Sequence, residues 1–176
     1  MDRATLQANI ARVRERIDRA AARVGRAPDT VALVAVTKTH PASTVQMAYD
    51  LGLRRFGENR LEEAAPKAQQ LPRDIQWHGI GHVQSRKAAL AVQLCALLHS
   101  VDSVRLACRL QRLCAEAERD LPILLEVNVS GEASKYGLRP DEVEAAVPDI
   151  QACGRLQIAG LMTIAPMAPT PEEARP

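Results

Sequence analysis

Two patterns of apolar residues alternate along the chain. Short continuous apolar runs are typical of buried strands, and longer stretches with an apolar residue every three or four positions are typical of helices with one buried face. The runs predict six strands, at residues 31–37, 53–56, 75–80, 97–101, 122–129 and 156–162. Because a helical stretch separates most neighbouring runs, we expect an α/β fold with parallel strands and right-handed crossovers.

A helix is predicted before the first strand. Apolar residues recur there at alternating steps of four and three, at Leu6, Ile10, Val13, Ile17, Ala20 and Val24. Gly25 and Pro28 are typical of the end of a helix. This helix therefore precedes the strand and helix alternation and is an addition to it.

Capping residues predict where the later helices begin. Ser43 and Asp102 are each placed to cap a helix after a strand. Asn59 has Glu62 three residues later, which is the spacing of a capping box. Pro140 is followed by two acidic residues, as is common in the first turn of a helix.

Polar and glycine-rich residues follow the strands, at 37–40, 57–59, 78–82, 128–130 and 162–163. A (β/α)₈ TIM barrel places its active site at this edge, where the strands end. Such a barrel has eight strands and the pattern predicts six, which would leave two open edges. We therefore expect residues 1–176 to be a single barrel domain that lacks the last two βα units, as a fragment or a shortened variant.

Composition limits the classes of function. The chain has 176 residues, a net charge of +2 and 2% aromatic residues, which disfavours a nucleic-acid partner. No secretory signal and no apolar stretch of about 20 residues is present, so we expect a cytoplasmic protein without membrane contact. None of the cysteines has the spacing of a redox or zinc motif, and we expect reduced, buried thiols.

Lys38 has the clearest potential for covalent chemistry. It follows the first apolar run and is one of only four lysines among 23 basic residues. Unlike arginine, lysine can lose its proton and attack a carbonyl group. A Schiff base with an aldehyde is one interpretation, and an ordinary surface lysine is the other.

Several segments together resemble a known family, namely residues 35–39, 55–59, 77–87, 127–130, 134–137 and 160–162. In order and spacing they are similar to the YggS/PROSC family of pyridoxal 5′-phosphate (PLP) homeostasis proteins. The resemblance runs from the first helix to about Met162. It implies a (β/α)₈ barrel of the alanine racemase N-terminal-domain type, here with about six of the eight strands and an extra N-terminal helix.

The resemblance implies that PLP is bound to the lysine after strand one, which by position is Lys38. An amine must be neutral to form this Schiff base, and burial favours the neutral form of a lysine. We therefore expect Lys38 to be buried at the end of its strand. The resemblance implies that the PLP phosphate is held by loops after strands seven and eight, and that an arginine in the last strand faces the pyridine nitrogen. These strands lie beyond the six predicted here, so we expect weak or absent PLP retention.

Four further residues are candidates for cofactor contacts. Each has an alternative role: Asn59 as a helix cap, His78 as a structural histidine, Asn128 as a partner for backbone groups, and Met162 as part of the core. His78 and His82 are four residues apart, but they do not lie on a predicted helix and no acidic ligand is near, so we expect no metal site.

The loop residues Ser134, Lys135 and Gly137 follow strand five. We interpret them as a solvated polar loop.

The family resemblance implies a function in PLP homeostasis, as a carrier or buffer without an established catalytic activity. PLP-dependent apo-enzymes are expected partners, and we expect a monomer. The alternative is a PLP-dependent amino-acid racemase, which needs two bases, and neither Tyr49 nor Tyr136 has an evident role as the second. A third hypothesis is an aldolase-type barrel that uses Lys38 on a carbonyl substrate without PLP.

Overall fold

The computed structural model describes residues 2–132, 135–166, 168–170 and 172–173. Within them it has six strands: β1 (Ala35–Val36), β2 (Arg55–Glu58), β3 (Gln76–Gly79), β4 (Cys95–Val101), β5 (Leu121–Glu126) and β6 (Leu156–Met162). It also has six α-helices: α1 (Arg3–Arg23), α2 (Ala42–Asp50), α3 (Leu61–Gln70), α4 (Ala88–Leu94), α5 (Val104–Glu116) and α6 (Val143–Gln151). Single 3₁₀ turns cover Pro28–Thr30, Ser85–Lys87 and Pro140–Glu142.

The strands form one parallel sheet in the order of the sequence, from β1 to β6. A doubly wound sheet would reverse this order at a switch point, whereas a (β/α) barrel keeps it. The predicted parallel α/β fold is confirmed. In the described residues the sheet is open, with β1 and β6 at its edges.

The core has two parts. The larger packs α4, α5 and α6 against the later strands, and both Leu98 and Leu110 are fully buried in it. The smaller joins α1, α2 and the first three strands around Phe56 and Trp77. Leu94 packs against both parts, so the two are continuous.

The structure corrects three predicted caps. Helix α2 begins at Ala42, and its N-cap is Pro41, two residues before the predicted cap Ser43. Helix α3 begins after Arg60 with no side-chain cap, so the capping role predicted for Asn59 is wrong.

Helix α5 is also capped differently from the prediction. Ser103 caps it, with its hydroxyl 3.3 Å from the amide nitrogen of Leu106. Asp102 lies one residue before this cap, and its carboxylate contacts His82 Nδ1 at 2.9 Å.

Strand β1 is shorter than predicted, with two residues instead of seven. It lies at the edge of the sheet and, among the described strands, pairs only with β2. It therefore makes fewer hydrogen bonds to other strands than a central strand does. Apolar residues here remain partly exposed: Val31, which precedes the strand, at 37%, and Val36, which lies in the strand, at 49%. The start of the sheet therefore depends on contacts beyond strand pairing.

Helix α1 and the cysteines depart in part from expectation. Only Ile10 and Ala21 of α1 are buried, while Val24 is 76% exposed. All four thiols are free, and Cys108 is exposed although buried thiols were expected. Among the described helices, none combines the length and the apolar character needed to cross a bilayer.

Candidate functional site

A cavity of about 450 Å³ opens where the strands end. Four of the five predicted site residues lie on its wall: Lys38, Asn59, Asn128 and Met162. They come from the ends of β1, β2, β5 and β6, because parallel strands bring their carboxyl ends to one edge. A larger cavity of about 530 Å³ lies at the opposite edge, around Arg14 and Arg54. Barrel active sites form at the carboxyl edge, which favours the smaller cavity.

Lys38 lies on the cavity wall, but the residue is exposed and the predicted burial is wrong. The reason is its position after an edge strand, where no strand among the described residues covers its outer side. The next residue, Thr39, has a φ of 67°, a left-handed conformation that is strained for a β-branched side chain. The backbone around Lys38 is therefore held in an uncommon conformation.

A buried set of contacts, which we call the Thr37 network, fixes the residue before Lys38. It consists of Thr37, Glu58 and Lys67. The Thr37 hydroxyl donates to Glu58 Oε1 at 2.7 Å, and the Thr37 carbonyl accepts from Lys67 Nζ at 3.0 Å. Lys67 Nζ also lies 2.6 Å from Glu58 Oε1, with side-chain exposures of 12% and 1%. No local sequence pattern predicts this ion pair, because Glu58 ends β2 and Lys67 lies on α3.

Asn128 organises the loop after β5. Its amide nitrogen donates to the carbonyls of Glu132 and Lys135, at 3.0 and 3.4 Å. Its amide oxygen accepts from the Ser130 hydroxyl and from the Gly131 amide, at 3.0 and 3.1 Å. The backbone-bonding alternative for Asn128 therefore holds, and it places Lys135 on the cavity wall. Ser134 lies outside the described residues.

His78 is buried and does not line the cavity. Its Nδ1 lies 2.8 Å from Nε2 of His99, which does line the cavity. Burial lowers the pKa of His78 to about 4, with smaller contributions from His99 and Arg55. Burial lowers the pKa of His99 too. Two neutral rings can share one hydrogen bond, so His78 supports the side chain that reaches the cavity.

Glu126 is a residue of the cavity wall that the sequence did not predict as part of the site. It ends β5 on the cavity wall, is 9% exposed, and its Oε2 has no hydrogen-bond partner among the described residues. Burial raises the pKa of this carboxyl, and the nearby Asp102 raises it further. The predicted fifth strand runs from 122 to 129, so Glu126 lies inside that prediction, and only the earlier end of β5 in the structure brings it to the cavity.

Tyr136, for which the sequence predicts no role, also lies on the cavity wall. Its ring stacks on that of His82, with centroids 3.6 Å apart and planes 9° from parallel. The Asp102 carboxylate also contacts the His82 ring, at Nδ1. The position of this stack depends on a loop, so no local pattern could have revealed it.

The chemical groups on the cavity wall indicate which class of ligand it suits. In the part of the chain that the structure describes, no group of three histidine, cysteine or acidic residues lies close enough to hold an ion. The cavity instead offers two amines, a carboxyl group, amide groups and aromatic rings. This set suits an organic ligand with an anionic group and a carbon that an amine can attack.

Comparisons with known proteins agree with this fold. The model of the family "Alanine racemase, N-terminal domain" matches residues 1–175. The pyridoxal phosphate homeostasis protein of Pseudomonas aeruginosa is 42% identical over 174 residues, covering 97% of this chain and 74% of that protein. Its Escherichia coli counterpart is 36% identical over 168 residues, covering 93% and 70%.

Solved structures of similar proteins share this fold. PipY of Synechococcus elongatus without PLP superposes with a TM-score of 0.79 at 40% identity, covering 89% of this chain and 74% of that one. PipY with PLP bound gives 0.75 at 38% identity, with the same coverage. A histidine racemase from Leuconostoc mesenteroides gives 0.70 at 18% identity, covering 96% and 43%, a likeness that concerns the fold alone.

Proposed function

The chain belongs to the family of pyridoxal phosphate homeostasis proteins, and on that premise we propose that it binds PLP at Lys38 and acts as a carrier or buffer of this cofactor. The single observation that carries the proposal is the position of Lys38 on the wall of the carboxyl-edge cavity. There Lys38 shares the cavity wall with residues that follow other strands, such as Asn59, Asn128 and Met162. PLP supplies an aldehyde, which condenses with a primary amine.

The residues present fit this cofactor. A cavity of about 450 Å³ is within the range of small-molecule sites. Lys135 provides a second positive charge on the wall, which suits an anionic ligand, and Asn59 provides an amide. Met162 provides an apolar contact for a ring. His99, positioned by His78, takes the place that the sequence analysis gave to His78.

Borohydride trapping tests the proposal. The protein is incubated with PLP, reduced, digested and mapped by mass spectrometry. We expect a pyridoxyl group on the peptide that contains Lys38, and its loss in Lys38→Ala. Lys87→Ala is the control, because Lys87 is a lysine outside this cavity that pairs with Glu62. Equal labelling of all four lysines would refute a specific site.

We extend the proposal to the cellular role of the protein. It is a cytoplasmic monomer, with residues 1–176 forming one barrel domain, and it hands PLP to apo-enzymes without contacting nucleic acid or membrane. Transfer is measured as recovery of activity by a PLP-dependent apo-enzyme mixed with the loaded protein. Recovery no faster than with an equal amount of free PLP would contradict the carrier role. Sedimentation of the protein measures its oligomeric state.

One observation keeps amino-acid racemisation as a second candidate. Racemisation needs a base on each face of the substrate carbon, and both Lys38 and Tyr136 line the cavity. Tyr136, however, is 54% exposed, and the described contact of its ring is the stack on His82. Exchange of the α-proton of amino acids in deuterated water, abolished in Tyr136→Phe, would favour the racemase.

A further inference from the structure

The residue before Lys38 is fixed through each of its polar groups. The Thr37 amide donates to the Gly57 carbonyl at 3.0 Å. The Thr37 hydroxyl and carbonyl are held by Glu58 and Lys67, as described above. Thr37 is 5% exposed, although β1 has ended and Lys38 is exposed. The boundary between the fixed and the accessible backbone therefore falls between Thr37 and Lys38.

The ion pair in the Thr37 network is directed at this one residue. Glu58 Oε1 receives both the Thr37 hydroxyl and the Lys67 amine, while its buried Oε2 has no partner among the described residues. Lys67 reaches from α3 across to the Thr37 carbonyl. A buried ion pair is weak support for stability, because desolvation offsets its attraction. A role in holding Thr37 accounts for its position better.

We propose that the buried Glu58–Lys67 pair positions the amine of Lys38, by clamping Thr37 where the two-residue edge strand β1 cannot hold it. Glu58 and Lys67 are positioning residues and do not line the cavity. The proposal rests on the proposed function, because the position of Lys38 matters only if this residue binds PLP. Its structural content, the clamping of Thr37, can be tested without the cofactor.

Single substitutions in the ion pair leave one buried charge without a partner and endanger folding. We therefore choose the double variant Glu58→Gln with Lys67→Met, which removes both charges and the bond to the Thr37 carbonyl. Thr37→Val is a second variant, which removes only the hydroxyl and keeps the ion pair. The matched control is Glu62→Gln with Lys87→Met, because it removes an ion pair of the same residue types from the exposed start of α3.

The first measurement uses cofactor-free protein. Hydrogen exchange of the segment 35–40 is followed by mass spectrometry. This segment contains the amide of Thr37, bonded to Gly57, and that of His40, bonded to Thr37. We expect exchange about tenfold faster in the double variant and in Thr37→Val, because the loss of one hydrogen bond is of that order. The control variant should exchange like the wild type.

The second measurement is the ratio of pyridoxyl label on Lys38 to that on Lys135 after borohydride trapping. Both lysines line the cavity, so general destabilisation affects the two alike. We expect this ratio to fall about tenfold in the double variant. An unchanged exchange rate in both test variants, or faster exchange with an unchanged ratio, overturns the positioning role. Absence of label from Lys38 in the wild type contradicts the proposed function instead, and the exchange measurement still decides whether Thr37 is clamped.

Discussion

At the scale of single residues, the neighbours of Lys38 define its setting more than burial does. The side chain is exposed, yet Thr37 before it is fixed by the Thr37 network and Thr39 after it has a strained backbone. Such strain is common at functional sites, where the surrounding structure holds a conformation that is unfavourable by itself. The backbone from which the accessible Lys38 side chain extends is therefore held in a defined position.

His78 makes stability depend on pH. Its pKa is about 4 in the folded protein and near 6.5 when unfolded, so its contribution is complete above pH 6.5 and is lost as the pH falls towards 4. We expect the melting temperature to fall between pH 7 and pH 5, and to fall less in His78→Gln. His40→Gln, at an exposed histidine, is the control. An equal fall in wild type and His78→Gln would contradict this assignment.

Glu126 should have the opposite effect. Its pKa is raised above 4.5 in the folded state, so its contribution is complete below that pH and is lost as the pH rises through the folded value. Glu126→Gln stays neutral, and we expect it to melt above the wild type at pH 7 and equally at pH 4. Glu132→Gln, in an exposed loop, should match the wild type at both. A lower melting temperature for Glu126→Gln at pH 7 would show that the carboxylate is stabilising.

At the scale of elements, the site depends on close contact between loops that follow neighbouring strands. The backbone of Asn59 after β2 lies against Gly81 after β3, and a Cβ built on Gly81 would lie 2.3 Å from the Asn59 carbonyl oxygen. Both residues line the cavity. A glycine at position 81 therefore sets the distance between two parts of the cavity wall.

Gly81→Ala should disturb this contact. Backbone atoms have to shift to admit the methyl group, and we expect a loss of about 1–3 kcal/mol in the free energy of unfolding, which is the usual effect of overpacking. Gly154→Ala is the control, because a Cβ there meets nothing within 4 Å. Urea denaturation measures both. A loss below about 0.5 kcal/mol for Gly81→Ala, as for an ordinary surface substitution, would contradict the tight contact.

At the scale of the whole molecule, the two parts of the core meet at Leu94, while the two edges of the sheet remain open. The edges carry exposed apolar side chains, with Val36 at 49% near one edge and Leu161 at 62% near the other. Since β3 and Leu94 connect the two parts, we expect the chain to unfold in one cooperative step.

Leu110→Ala tests this cooperativity. Leu110 is fully buried in the larger part of the core, and its truncation should lower the free energy of unfolding by about 2–5 kcal/mol. Trp77, the only tryptophan, lies in the smaller part. We expect the fluorescence and circular dichroism midpoints in urea to move together. A fluorescence midpoint that stays at its wild-type value would indicate two independently unfolding parts.

The sequence alone determined the parallel strand and helix alternation, the bounds of β6 at 156–162 and the position of Lys38 directly after the first apolar run, because these depend on patterns among residues near each other in the chain. It also placed Asn59, Asn128 and Met162 at the edge where the cavity opens, since strand ends converge by topology. Only the tertiary structure decided the exposure of Lys38, the replacement of His78 by His99 on the wall, and the presence of Glu126 and Tyr136 there. These outcomes depend on side-chain contacts between residues distant in sequence, such as the pairing of Asp102 with His82 and of Lys67 with Glu58, and no local pattern encodes them.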